Sequence, residues 1–570
     1  MHYELDKKQV VCEKEITQTA HYAEVPFQEK HLSLYLHESV AVNGETKTAG
    51  QISLPLFVGF NRFHIGEEKL TVLRRANEEN LMCEHYRPQF HYTVPMSLLN
   101  DPNGLVFDAE KGIYHLYFQY QANHVDGNEC KSWGHCQSPD LIRWKTMPHA
   151  IYPDRFGEAY SGSCVIDEEN TSGLFDESTP PLSRIVAFYT SFDGVEKQCL
   201  AYSKDGGITF EKYNNNPVID NVENGKQKYT LGFRDPKVIR LKTTAYPNGI
   251  WLMTVAGEQA RLFTSHNLLN WTLNDEFVYP NSEKIVSECP DFFPMKMQNG
   301  QEKWVFIGND YNNGNSRIFY VVGDLQEQDG KFRFIAQTDG NNSLNLNPEA
   351  YASQTFYNDV KNRKIMIAWL RDWVLFDGTM WKFEKTDLFS KYWLGTFSLP
   401  QELELVEKDG AYQMYTHPVD ELKTLRTKTL FSATGSISCP CTLSEERLTE
   451  IVFCAKNENI KKPFSLLIKG GENEEIRISY NAKTRLFQVD KSKSLGVSVP
   501  VYSYTVTPSS IFSLRLLADT SVLDIYVNDG EKALSTQFYF KDYPRFILDF
   551  EGETEYVNAY TLQKSVHLEY

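Results

Sequence analysis

The chain has 570 residues, 41% of them hydrophobic and 23% charged, the profile of a globular protein long enough for several domains. Acidic residues outnumber basic ones by 75 to 58, giving a formal charge of −17, and no Lys/Arg block interrupts that field, which argues against a nucleic-acid partner. No apolar run nears the roughly 20 residues of a membrane helix, so no membrane partner is expected. The start, Met1 to Lys8, lacks the apolar stretch of a secretory leader, which predicts a cytoplasmic location and reduced thiols for the ten cysteines. No Cys or His spacing fits a zinc site, so no metal is expected.

Residues 1–85 are strand-like and carry no nameable chemistry, an extra small β-rich N-terminal segment. It reads as a module for carbohydrate contact, dimer formation or shielding of a C-terminal β-sandwich. From residue 86 onward short alternating runs dominate, among them Gly112–Phe118, Ile365–Trp369 and Val522–Val527. Asn-Gly at 103–104, 248–249 and 299–300 and Asp-Gly at 193–194, 205–206, 329–330, 409–410 and 529–530 punctuate them, and such pairs between alternating runs are strong hairpin signals. The fold class is therefore all-β and mostly antiparallel. A weak repeat links Ser138-Pro-Asp-Leu-Ile-Arg-Trp144, Ser203-Lys-Asp-Gly-Gly-Ile-Thr-Phe210 and Ser265-His-Asn-Leu-Leu-Asn-Trp271, with Gly323-Asp-Leu325 as a degraded fourth copy. Its spacing of about sixty residues suits a propeller blade with long loops. The composition shifts near residue 407, which places a propeller over 86–407 and a β-sandwich over 408–570.

Three acidic motifs stand out in the middle region: Asn100-Asp-Pro-Asn-Gly104, Phe233-Arg-Asp-Pro236 and Glu288-Cys-Pro-Asp291. Proline restricts its predecessor to extended backbone and removes a donor, so each motif is a strand end or turn that can hold a carboxylate rigidly. Singly, each reads as an ordinary turn. Together, in this order and at these separations, they resemble glycoside hydrolase family 32, the family of invertases, levanases and inulinases. The flanking Arg87-Pro-Gln-Phe-His-Tyr92, Tyr117-Phe-Gln-Tyr120, Trp133-Gly-His135, Tyr160-Ser-Gly-Ser163, Tyr351-Ala352 and Leu394-Gly-Thr-Phe-Ser-Leu-Pro400 agree, as does Asp519–Gly530 near the C-terminus. The resemblance runs from about residue 87 to 570.

That resemblance implies a five-bladed β-propeller followed by a C-terminal β-sandwich. It implies Asp101 as nucleophile, Glu288 as general acid/base and Asp235 as a stabiliser binding fructose hydroxyls. It places Asn100, Gln119, Trp133, Ser161 and Arg234 around the substrate. The activity implied is retaining cleavage of β-D-fructofuranosyl linkages in sucrose, fructo-oligosaccharides or fructans, without a cofactor. The partner is then a fructose-containing carbohydrate, and a homo-oligomer is compatible with it. Breaking such a bond needs one carboxyl to protonate the leaving oxygen and another to attack the anomeric carbon, about 5 Å apart if configuration is retained. Two positions depart from the family: Leu98 stands where an aromatic residue, commonly Trp, is usual, and Gln401 where Arg is common. Leu98 keeps fructosyl transfer, including formation of a difructose dianhydride, as an alternative. A sucrose-6-phosphate hydrolase and a non-catalytic fructan-binding propeller are the remaining ones.

Overall fold

A computed structural model describes residue 82 and residues 84–566, apart from 96, 122–130, 154–155, 278–286, 313–314, 346, 372–392 and 495–500, together with the backbone of ten strands between His2 and Leu73. Those ten strands make two five-stranded sheets, each mixing antiparallel and parallel pairs.

Five antiparallel sheets follow, and they are the blades of a propeller. Blade 1 runs outward from Ser97–Asp108 through Ile113–Gln121 and Ser132–Ser138 to Lys145–Ile151. Blade 2 starts at Glu158–Ile166, blade 3 at Arg234–Leu241, blade 4 at Ser287–Lys296 and blade 5 at Ala350–Thr355. Each of these starting strands contacts the next, and the fifth contacts the first, so the ring closes around an axis. Trp393–Leu394 returns to pair with the inner strand of blade 1. Closure of this kind removes exposed inner edges.

The turn chemistry explains the repeat seen in the sequence. Ser138, Ser203 and Ser265 close the third strands of blades 1, 2 and 3. Two residues on, the side-chain oxygens of Asp140, Asp205 and Asn267 accept backbone N–H groups of the turn that follows. Gly323-Asp-Leu325 is not a fourth copy. It lies inside the 14-residue strand Asn315–Gln328, where Gly323 avoids a clash with the Ile335 carbonyl. Asn103-Gly104 is likewise no hairpin: it sits within the inner strand of blade 1.

The boundary expected at 407/408 cuts a hairpin. Gln401–Lys408 and Ala411–Pro418 pair along their whole length in blade 5, with Asp409-Gly410 as their turn. The propeller thus reaches Pro418, because the composition changes already in the outermost strand. Beyond it, two six-stranded sheets pack face to face as a sandwich. Phe453, Phe464, Phe512 and Phe546, with the Leu and Ile residues around them, fill the space between.

Buried charges tie the two units together. His91 lies between Asp519 (2.9 Å) and Asp524 (2.7 Å), and Asp519 also accepts the N–H groups of Gln89 and Phe90. Burial opposes a charged imidazole, but the two carboxylates hold His91 up at about 9. Glu349, one residue before the inner strand of blade 5, is ion-paired to Lys491 of the sandwich. It also accepts from Tyr502 (2.8 Å), Thr536 (2.8 Å) and the Gln537 N–H (2.6 Å). Both charges are fully buried. Removing one partner of such a pair leaves the other charge uncompensated, so Lys491→Met is expected to cost about 3–5 kcal/mol of stability, read by denaturant unfolding.

Candidate active site

The pocket at the axis is built from one backbone irregularity repeated five times. In every inner strand the register with its neighbour slips within a few residues: between Asn103 and Val106, Ala159 and Gly162, Arg234 and Lys237, Glu288 and Asp291, and Tyr351 and Gln354. A bulge inserts an unpaired residue and re-aims side chains that strict alternation would send to opposite faces. Gly104, Asp235, Cys289 and Ala352 occupy these bulges with positive φ of 55°, 61°, 44° and 52°. Gly104 also has no room for a side chain, since a Cβ would lie 2.8 Å from Tyr117 and 2.9 Å from Trp133.

The bulges bring the three expected carboxylates together through shared neighbours. Asp101, in blade 1, accepts a hydrogen bond from Ser161 Oγ at 2.8 Å, and Ser161 in turn accepts from Gln119 Nε2 at 2.6 Å. The thiol of Cys289 lies 3.9 Å from the same Asp101 oxygen. The N–H of Cys289 donates to Asp235 Oδ2 at 2.8 Å. Glu288 is held by two donors, Arg234 Nη1 at 2.8 Å and the Tyr351 hydroxyl at 2.6 Å. So Asp101, Asp235 and Glu288 are each bonded to, or in contact with, a residue adjoining another of the three. The amide oxygens of Asn100 and Gln119 are buried and accept no hydrogen bond among the described residues.

Crowding shapes the titration of these groups. Burial pushes Asp101 up from the usual carboxylate range, Lys131 and the Ser161 hydrogen bond pull it back, and the Glu288 carboxylate adds to the rise. Lys131 itself sits 4.4 Å above the Tyr160 ring. Asp235, 4% exposed, is raised to about 7 by burial and then by Glu288, against the pull of Arg234.

Two expectations change. Trp133 is 0% exposed and donates its indole N–H to the Tyr160 carbonyl at 2.8 Å, with Tyr117 and Tyr189 against its ring. It buttresses the pocket floor rather than presenting a face to a ligand. Leu98 is also 0% exposed, paired to Gln121 and Leu394, so it offers no wall to the pocket. Gln401 is buried and donates to the Tyr526 hydroxyl of the sandwich at 3.2 Å. The sequence reading gave no role to Tyr351, although Tyr351-Ala352 was among its landmarks. It missed Glu196 entirely. Glu196 faces Arg234 Nε at 2.7 Å and lies in no proline-bearing motif that could have marked it.

A carboxyl whose pKa is raised by folding binds its proton more tightly in the native state. Its contribution to stability is present at low pH and is lost as pH rises from about 4 to about 7. Asp235→Asn removes that penalty. It is expected to raise stability at pH 8 by on the order of 2 kcal/mol and to change it far less at pH 4, measured by thermal unfolding at both values.

Comparison with known proteins agrees with this architecture. Residues 91–418 match the glycosyl hydrolases family 32 N-terminal domain and residues 415–563 the family 32 C-terminal domain. A levanase of Bacillus sp. (strain L7) is 32% identical over 512 residues, covering 84% of this chain and 52% of that protein. A levanase of Bacillus subtilis is 30% identical, covering 81% and 67%. The chain thus spans about half the length of the first of these relatives. A fructofuranosidase from Schwanniomyces occidentalis, solved with fructose, superposes with a TM-score of 0.73 at 27% identity, over 85% of this chain and 99% of that one. With a family match over more than half its length, on a five-bladed propeller and a sandwich, the chain belongs to glycosyl hydrolases family 32.

Proposed function

We propose that the chain is a retaining β-fructofuranosidase acting on terminal fructosyl units of sucrose, fructo-oligosaccharides or fructans. The observation that carries this reading is the convergence of Asp101, Asp235 and Glu288 from three bulged inner strands, with Arg234 and Tyr351 fixing Glu288.

In this reading Glu288 protonates the glycosidic oxygen while Asp101 attacks C2 of the fructosyl unit, forming a fructosyl-enzyme. The leaving sugar departs with that proton. Glu288 then takes a proton from water, which attacks C2 and frees Asp101. The Ser161 hydrogen bond orients Asp101 and favours its anionic form against the pull of burial. Positive charge develops at C2 in the transition state, and the surrounding carboxylates stabilise it. Asp235, raised to about 7, accepts hydrogen bonds from fructose hydroxyls when ionised and can donate one when protonated. The propeller supplies every one of these groups, and the sandwich supports them from behind.

Leu98 gives no structural support to fructosyl transfer, since it is sealed from the pocket. Product chromatography after incubation with sucrose, 1-kestose, inulin and levan is the direct test: free fructose is the expected product, and oligomers or dianhydrides in its place would replace hydrolysis by transfer. Asp101→Asn is expected to lower turnover by about 10³-fold or more while binding of fructose persists, measured by kinetics and calorimetry. A protein that only bound fructans would show no turnover to lose.

A further inference from the structure

Glu196 opens the third strand of blade 2 and is 6% exposed. Its two oxygens do separate work. Oε2 accepts the N–H of Phe233 at 2.6 Å, and Oε1 faces Arg234 Nε at 2.7 Å. Two residues further along the strand, Gln198 donates to the Phe233 carbonyl at 2.7 Å. Gln198 also accepts from Thr190, whose oxygen accepts the N–H of Asp235 at 2.8 Å. Blade 2 therefore grips Phe233-Arg234-Asp235 at three backbone points, on a segment whose Asp235 has φ of 61°. A non-glycine residue in that region costs of order 1–3 kcal/mol and persists where its surroundings determine it.

Arg234 reaches across the pocket from this grip. Its Nε meets Glu196 while its Nη1 donates to Glu288. One guanidinium thus serves two carboxylates, of which only Glu288 faces the chemistry. A cation wholly committed to Glu288 would favour the ionised form of the group that has to deliver a proton. Glu196 divides that charge.

We propose that Glu196 is a positioning residue of the reaction: a fourth carboxylate that fixes Arg234 and takes up part of its charge, so that Arg234 presents less positive charge to Glu288. The inference rests on the β-fructofuranosidase reading, in which Glu288 is the acid. The groups that face Glu196 are Arg234 from blade 3 and Tyr160 from blade 2, with Glu288 beyond Arg234. Its neighbour Lys197 is engaged with Asp193 at 2.9 Å.

The test is the pH dependence of kcat/KM for sucrose in the full chain and in two variants. Glu196→Gln keeps the size and an oxygen for the Phe233 N–H but removes the charge. It is expected to move the basic limb to lower pH by about one unit, a roughly tenfold loss above that limb and a smaller loss below it. Glu196→Asp keeps the charge but withdraws it by one methylene. It is expected to move the same limb in the same direction by less, and it decides the matter alone if the Gln variant does not fold. A purely structural role would lower activity evenly across pH. A basic limb unmoved in the folded variants overturns the proposal. Absence of fructose release by the unaltered chain would instead overturn the β-fructofuranosidase reading, so the two failures are distinct.

Discussion

Arg234 is paired with both Glu288 and Glu196 at the propeller axis, and the site depends on it. Burial raises the affinity of Asp101 and Asp235 for protons, and the nearby Glu288 carboxylate adds to that. Left alone, such a cluster would shed charge by protonation or push its strands apart. The guanidinium holds Glu288 on one side and Glu196 on the other. Because Arg234 and Asp235 are adjacent, whatever fixes one fixes the other. The blade 2 side chains that grip Phe233 and Asp235 therefore set the geometry of two functional groups at once.

The five bulges solve a second problem, that of aim. A regular strand alternates its side chains, so only every second residue can face the axis. Motifs such as Arg234-Asp235 and Glu288-Cys289 need adjacent residues to act at the same place. A bulge in each inner strand grants this, and left-handed backbone at Asp235, Cys289 and Ala352 is the local cost. The cost is met by hydrogen bonds: the Asp235 N–H donates to Thr190 of blade 2, Asn309 donates to the Cys289 carbonyl of its own blade, and the Ser353 N–H of blade 5 donates to Asn309.

Much of this was legible in the sequence, for local reasons. Asp-Gly pairs marked hairpins because few other pairs accept those dihedral angles, and the Ser-x-Asp turns recurred because one side-chain oxygen caps each of them. Proline-bearing acidic motifs marked the three carboxylates. The same cues misled where context overrode them. Asn103-Gly104 is a bulge rather than a turn, and Gly323 packs inside a strand. The boundary at 407 failed because the outer strand of blade 5 is solvent-facing and polar, like the sandwich strands after it. Trp133 was assigned to the ligand by its motif, yet the space left by Gly104 fixes it as packing. Glu196 was invisible, since its meaning lies in a partner 37 residues away on another blade.

The Glu349–Lys491 pair has a consequence for modularity. Glu349 belongs to the propeller, two residues before Tyr351, whose hydroxyl holds Glu288. Its four donors all come from the sandwich. The carboxylate cluster is housed in one unit, but the strand that steadies Glu288 is anchored in the other. Chimeras that join this propeller to a foreign sandwich after Pro418 would inherit an orphaned carboxylate just behind the carboxylate cluster. The two units are exchangeable as a matched set, and recombination has to respect a seam that runs through the active site's support rather than along the linker.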